Sequence, residues 1–96
     1  MLISFPADPL PQVNRRVLSF YVLVDSVDIV CEISFEALED HFGVNTRSGQ
    51  SVVDAFHAHR EEFASLVGHT VSHRLHGRRC QIFSRDIVYA RAERHA

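Results

Sequence analysis

The 96-residue sequence contains no lysine, so all ten of its basic residues are arginine. This absence excludes Schiff-base chemistry on a lysine amine, and it excludes a P-loop, which needs Gly-Lys-Ser/Thr. Only two cysteines occur, Cys31 and Cys80, which is too few for a disulfide-rich scaffold, and neither belongs to a Cys-x-x-Cys pair. Both lie in apolar, strand-like stretches, so we expect buried, reduced thiols, with a bridge between neighbouring strands as the alternative.

Long hydrophobic runs are also absent, and no apolar stretch approaches the ~20 residues of a membrane span. The first residues lack the basic and long apolar regions of a signal peptide, so no signal peptide is predicted. With 46% hydrophobic and 23% charged residues, the composition is that of an ordered globular chain. We expect a single domain over residues 1–90 and a polar tail over residues 91–96.

Alternating apolar residues predict strands in the first third of the chain. A short strand is expected around residues 3–5, followed by a proline-containing loop over residues 6–15. Residues 17–24 and 27–33 then form a hairpin, and Asp25-Ser26 supply its tight turn. Both faces of the strand 17–24 are apolar, whereas a sheet with one covered face requires only one apolar face.

A first helix is predicted after the hairpin. Ser34 can cap its amino end, and apolar residues recur at helical spacing as far as Phe42. Gly43 is suited to the position that follows the last helical residue.

A second, longer helix is predicted from Ser51, with Gly68 either ending it, kinking it or allowing it to continue to His76. A last strand follows over residues 80–84, and residues 85–90 are apolar enough to extend it. The element order is therefore β-β-β-α-α-β. The simplest fold with this order is α+β: a small antiparallel sheet of about four strands with two helices on one face.

Charge is distributed unevenly along the chain. Residues 25–46 contain six acidic residues and no arginine, whereas residues 69–96 contain six arginines and two acidic residues. The two segments either form faces of opposite charge or neutralise each other in the fold. The basic segment includes Phe83 and Tyr89, which could stack on bases. However, the pI of about 6.4 and the lack of a nucleic-acid-binding motif argue against such a partner.

Several segments together resemble one family. They are Cys31-Glu-Ile-Ser-x-Glu-Ala-Leu-Glu-Asp-His-Phe-Gly43, Ile3-Ser-Phe-Pro6, Ala55-Phe56-x-x-His59-Arg60 and a closing strand that ends near Asp86. On these segments the chain resembles the bacterial domain of unknown function 1488 family over roughly residues 2–88. The resemblance implies a compact cytoplasmic α+β domain and no known activity, cofactor or catalytic residue. Residues 69–79 depart from the family pattern, being richer in histidine and arginine.

Three histidines, His69, His73 and His76, are spaced to lie on one side of the second helix. An i, i+4 histidine pair can chelate zinc, nickel or copper. All three cannot bind one ion, since His69 and His76 would lie ~10 Å apart along a straight helix. We therefore consider a two-histidine metal site whose third ligand comes from an acidic residue of segment 36–40 or from a second copy. The alternative is a solvated polar face.

The pair His59 and Arg60 matches positions of the family. Arg60 falls within the apolar stripe of the second helix, and His59 borders it. The two side chains either form a structural ion-pair network with Glu32, Glu36 or Asp40, or line a pocket for an anion or a carboxylate.

No motif predicts catalysis, because the serines lack a Gly-x-Ser-x-Gly elbow and Cys31 has no defined histidine partner. We expect no enzymatic activity and no cofactor. The function predicted first is a non-enzymatic protein-interaction module, self-associating in one version, because the apolar surplus of strand 17–24 could form an exposed patch. The alternative is a protein that binds a metal ion or a small anion through its histidine-rich second helix.

Overall fold

The computed structural model describes residues 1–7, 10–73 and 77–94. Strands and helices follow one another in the order β1 (Ile3–Ser4), β2 (Gln12–Asn14), β3 (Val17–Val24), β4 (Val27–Ser34), α1 (Phe35–Phe42), α2 (Gly49–Ala58), α3 (Arg60–His73), β5 (Arg79–Ile82) and α4 (Ser84–Arg94). The α+β class predicted from the sequence is confirmed. Within the described residues, no helix is long and apolar enough to cross a membrane.

The sheet has the strand order β1-β3-β4-β5, and β2 pairs with β3 beside β1. The predicted hairpin of β3 and β4 is present, and its turn residues Asp25 and Ser26 have φ of 51° and 71°. These positive angles match the twist that tight hairpins require. The expectation of a purely antiparallel sheet is wrong, because β5 runs parallel to β4. The three helices between β4 and β5 supply the crossover that a parallel pair needs.

The predicted second helix is two helices, α2 and α3, which meet at His59. His59 has φ of −107° and ψ of 24°, outside the helical region, so the helical register changes there. Helix α3 continues through Gly68, where a Cβ atom would lie 3.1 Å from the Cδ1 atom of Ile3. The glycine therefore allows β1 to lie close against α3, and it does not end the helix.

The prediction that residues 85–90 extend the last strand is wrong, because they belong to α4. The side chain of Asp86 accepts a hydrogen bond from the Phe83 backbone N–H at 2.7 Å, which caps the start of this helix. Ile87 and Ala90 are buried three residues apart, as helical packing demands. Residues 91–94 of the expected polar tail belong to α4, whereas residues 95 and 96 lie outside the described ranges.

The core lies on one face of the sheet. Buried side chains of β3 and β4 alternate with exposed or half-buried ones, so all the helices of the described chain cover the same face. The centre of the core is Phe20, whose ring contacts those of Phe5, Phe56 and Phe63 at centroid distances of 4.8–6.1 Å. The opposite face carries Tyr21, which is 41% exposed.

Both cysteines lie in this core as free thiols, as predicted. Cys31 and Cys80 are register partners in the parallel strands β4 and β5. A side-chain hydrogen bond with Cys80, together with burial, raises the pKa of the Cys31 thiol. A thiol held protonated in this way is a poor nucleophile and a poor metal ligand.

Candidate metal centre

Three side chains with metal-binding atoms meet where α3 and α4 pack together. His69 and His73 lie one turn apart on α3, and their ring centroids are 4.5 Å apart. Glu93, near the end of α4, places Oε2 3.2 Å from the Nδ1 atom of His69. One ligand atom from each of the three residues lies within 4.8 Å of the other two.

The packing of α4 against α3 brings Glu93 to the histidines. Ile87 and Ala90 bury one side of α4, and Glu93 follows Ala90 by three residues on that side. Ala90, Gly68 and the three candidate ligands line one groove of about 760 Å³. Glu93 therefore lies on the same side of α4 as the buried Ile87 and Ala90, just beyond the edge of the core.

One hydrogen bond determines which ring nitrogen of neutral His73 carries the proton. Its Nδ1 atom lies 2.8 Å from the backbone oxygen of His69, and because a carbonyl oxygen can only accept, Nδ1 donates. In the neutral ring the Nε2 atom then carries the lone pair that a metal requires. Metal-binding histidines commonly have their second nitrogen held in this way by a carbonyl or carboxylate.

His69 is the more enclosed of the two rings. Its side chain is 10% exposed, whereas that of Glu93 is 65% exposed, so the carboxylate approaches a nearly buried imidazole from the solvent side. The 3.2 Å contact is a hydrogen bond in which Nδ1 of His69 donates to the carboxylate of Glu93. A metal ion would take the place of that proton between the two groups.

The spacing of the three groups suits a metal ion of the first transition series. Ligand atoms around tetrahedral zinc lie about 3.3 Å apart, given Zn–N and Zn–O bonds of about 2.0–2.2 Å. In the structure the three ligand atoms lie within 4.8 Å of one another. Side-chain rotations that move each atom by about 1 Å bring them to the separation that zinc requires. Two imidazoles and one carboxylate favour zinc, copper or nickel over magnesium or calcium, which prefer oxygen ligands.

The structure therefore brings together two of the three histidines expected to bind metal, His69 and His73. His76 lies outside the described residues. In the described chain the third ligand atom comes from Glu93, and not from the expected segment 36–40. Sequence reasoning missed Glu93 because it assigned the carboxyl end to a strand and a tail. The three-residue spacing of Ile87, Ala90 and Glu93 is compatible with a helix, but the short apolar run is equally compatible with a strand.

The second predicted pair, His59 and Arg60, is split by the break between α2 and α3. The ring of His59 is half-buried against Phe42, with ring centroids 5.3 Å apart. Arg60, which the sequence places within the apolar stripe of the predicted helix, is exposed. The register change at His59 turns Arg60 outward, where its Nη2 atom lies 3.2 Å from Nδ1 of His57.

An ion pair joins the acidic segment 25–46 to the basic segment 69–96, and another joins the basic segment to α3. Glu32, which was expected near Arg60, accepts two hydrogen bonds from Arg79, at 2.6 and 3.0 Å. Arg91 pairs with Glu62 at 3.0 Å and also donates to the backbone oxygen of His41. These contacts join α4 and β5 to the rest of the chain.

Comparison with protein families identifies one match. The model of the family described as "Protein of unknown function (DUF1488)" matches residues 3–75. The chain belongs to the DUF1488 family. Comparisons with curated proteins and with solved structures give no match. The family match includes His69 and His73 and ends before Glu93, so it is shorter at the carboxyl end than the expected range 2–88. The family description names no activity, and the functional argument therefore depends on the geometry of this chain.

Proposed function

We propose that this DUF1488 protein is a non-enzymatic binding protein whose ligand is one divalent transition-metal ion. The observation that carries the proposal is the convergence of His69, His73 and Glu93 from two helices, with their ligand atoms within 4.8 Å of one another. The hydrogen bond from His73 to the backbone of its own helix supports it further, because it leaves Nε2 free to bind. Three protein ligands leave at least one coordination position for water.

Isothermal titration calorimetry of tag-free protein, stripped with EDTA and dialysed, tests the proposal. Zinc, nickel or copper should bind one ion per chain, and magnesium should give no saturable heat. His73→Ala should abolish this site, and Glu93→Gln should weaken it while leaving the two imidazoles. His41→Ala, which removes an imidazole on α1, is the matched control and should bind as the wild type does. No saturable heat with any of the three metals, or unchanged binding by His73→Ala, would refute the proposal.

A second candidate function is protein interaction, in the form of self-association through the open face of the sheet. Tyr21 is 41% exposed on this face, and Val17, Leu23 and Val30 are only half-buried there. The described helices cover the opposite face. An apolar patch of this kind, rimmed by charge, is typical of an interaction surface.

We take the partner to be a second copy of the chain, because the rim carries charges of both signs. Asp28 and Glu32 are acidic and Arg79 is basic, and all three project from the same face of the sheet. Arg79 and Glu32 neutralise each other within each copy, so two identical faces can meet about a two-fold axis with apolar band on apolar band.

Light scattering after size-exclusion chromatography tests self-association. We expect a dimer at high concentration, loss of that dimer in Tyr21→Glu, and no loss in Tyr89→Glu. Tyr89 is 61% exposed on α4 and serves as the matched control. A wild-type protein that stays monomeric across the concentration range would contradict this second candidate.

We also propose a bacterial cytoplasmic location. Two buried cysteines without a disulfide support a reducing compartment. Cell fractionation with an antibody against the protein tests this, and recovery in a periplasmic or secreted fraction would contradict it.

A further inference from the structure

A second concave site lies at the opposite end of α3, at the edge of the sheet where β1 and β2 both pair with β3. The cavity measures about 240 Å³. Its floor is aromatic: the ring of Phe56 lies 5.5 Å from that of Phe5 and 4.8 Å from that of Phe20, centroid to centroid. Arg60 and His69 are nine residues apart, so about 14 Å of helix separates this cavity from the metal centre.

The rim of the cavity carries hydrogen-bond donors. The guanidinium of Arg60 lies 5.9 Å from the centroid of the Phe5 ring, and its Nη2 atom is 3.2 Å from Nδ1 of His57. Arginine can only donate, so Nδ1 of His57 accepts, and its neutral ring carries the proton on Nε2. Arg60 thus offers N–H groups beside an apolar floor, and the contact with His57 holds its guanidinium there.

Arg60 takes part in none of the ion pairs found among the described residues. The arginines in those ion pairs are Arg16, Arg79 and Arg91, and a further pair joins His69 to Glu93 in the metal centre. The planar fork of Arg60 is therefore available to a carboxylate, which it fits with two parallel hydrogen bonds. An apolar cavity with a few convergent polar groups is the usual form of a small-molecule site.

We propose that this cavity binds a small organic acid with an apolar body. Its carboxylate would bind the guanidinium of Arg60, and its apolar part would lie against Phe5 and Phe56. A cavity of 240 Å³ is below the ~300 Å³ at which drug-sized ligands begin, so the ligand is the size of a single ring or a short branched acid. The aromatic floor favours such an acid over an inorganic anion, which would leave the apolar surface unused.

Nuclear magnetic resonance titration of the ¹⁵N-labelled full chain, in the presence of EDTA, tests the proposal independently of the metal site. Phenylacetate should give saturable shifts of amides around the cavity. Phenylacetamide, which keeps the ring but loses the charge, should bind at least ten-fold more weakly. Inorganic phosphate, which keeps the charge but loses the ring, should also bind at least ten-fold more weakly than phenylacetate.

Variants assign the binding to the arginine. Arg60→Gln should weaken phenylacetate binding at least ten-fold, and Arg60→Lys, which keeps the charge but loses the planar fork, should have an intermediate effect. Arg47→Gln removes an exposed arginine from the loop after α1 and should leave binding unchanged. The dispersion of each amide spectrum verifies folding, and the lysine variant keeps the test informative if the glutamine variant unfolds.

Four results would overturn the proposal. They are the absence of saturable shifts with phenylacetate, equal binding of the neutral amide, equal binding of inorganic phosphate, and unchanged binding by both Arg60 variants. Equal binding of phosphate would reveal a simple anion site, and equal binding of the amide would reveal an apolar cavity without carboxylate recognition.

Discussion

Zinc should stabilise the folded chain, because the proposed ligands join α3 to α4. Only the folded chain holds Glu93 beside His69 and His73, so the ion binds the native state in preference to the unfolded state. At free zinc one hundred-fold above Kd, this preference contributes ~2.7 kcal/mol to the free energy of unfolding. For a domain of this size, that corresponds to a rise in Tm of roughly 10–20 °C. Histidines of the unfolded chain also bind zinc weakly, so these values are upper bounds.

Thermal unfolding followed by circular dichroism measures the shift, with EDTA and then with saturating zinc at pH 7.5. His41→Ala should show the full rise, Glu93→Gln a smaller one, and His73→Ala almost none. Repeating the experiment at pH 5.0 should reduce the rise, because protons compete with zinc for the imidazole nitrogens. The reasoning would be refuted if His73→Ala kept the full rise, or if zinc left the Tm of the wild type unchanged.

Three further predictions concern the fold. Phe20→Ala should lower the free energy of unfolding by about 3–5 kcal/mol in urea denaturation, since the ring is 2% exposed and contacts three others; a loss below ~1 kcal/mol would contradict this core. Gly43→Ala should cost about 1–2 kcal/mol in the same assay, because its φ is 62° and no neighbouring atom lies within 4 Å of an added Cβ; an unchanged stability would contradict the left-handed cap. Cys31 and Cys80 should react with a disulfide reagent such as Ellman's only after unfolding, since the pKa of Cys31 is raised and both thiols are buried; fast labelling of the native protein would contradict their burial.

The parts of the fold that sequence reasoning predicted depend on local signals. Alternating apolar residues determine the β3–β4 hairpin, because one face of each strand must be buried. Helix α1 begins at Ser34, whose Oγ accepts a hydrogen bond from the Ala37 N–H at 3.1 Å, and it ends at Gly43 in the left-handed conformation. The first cap depends on the side chain of Ser34 and the second on the backbone freedom of Gly43, and neither needs a tertiary contact.

The parts that were not predicted depend on tertiary contacts. The break at His59 follows no glycine or proline, and it places α2 against β2 while α3 packs on β5 and α4. The run Ile87-Val88-Tyr89-Ala90 is short and apolar, so its periodicity is compatible with a strand or a helix. Only the packing of Ile87 and Ala90 against the core decides for α4.

The wrong assignments at His59 and at residues 87–90 limited how much of the two candidate sites could be predicted from the sequence. His69 and His73 are one helical turn apart, so their meeting follows from the sequence alone. Glu93 could not be placed while its segment was assigned to a tail. Arg60 could not be placed at an outer cavity while its helix was read as continuous through His59.

The most direct test of the metal centre is the position of a bound ion. Crystals grown with zinc should give an anomalous difference peak, measured at the zinc absorption edge, within about 2.2 Å of an imidazole nitrogen of His69, the Nε2 atom of His73 and a carboxylate oxygen of Glu93. We expect such a peak in crystals of the wild type and none in crystals of His73→Ala. A peak bound by other residues, or no peak in crystals of protein saturated with zinc, would contradict the proposed metal centre.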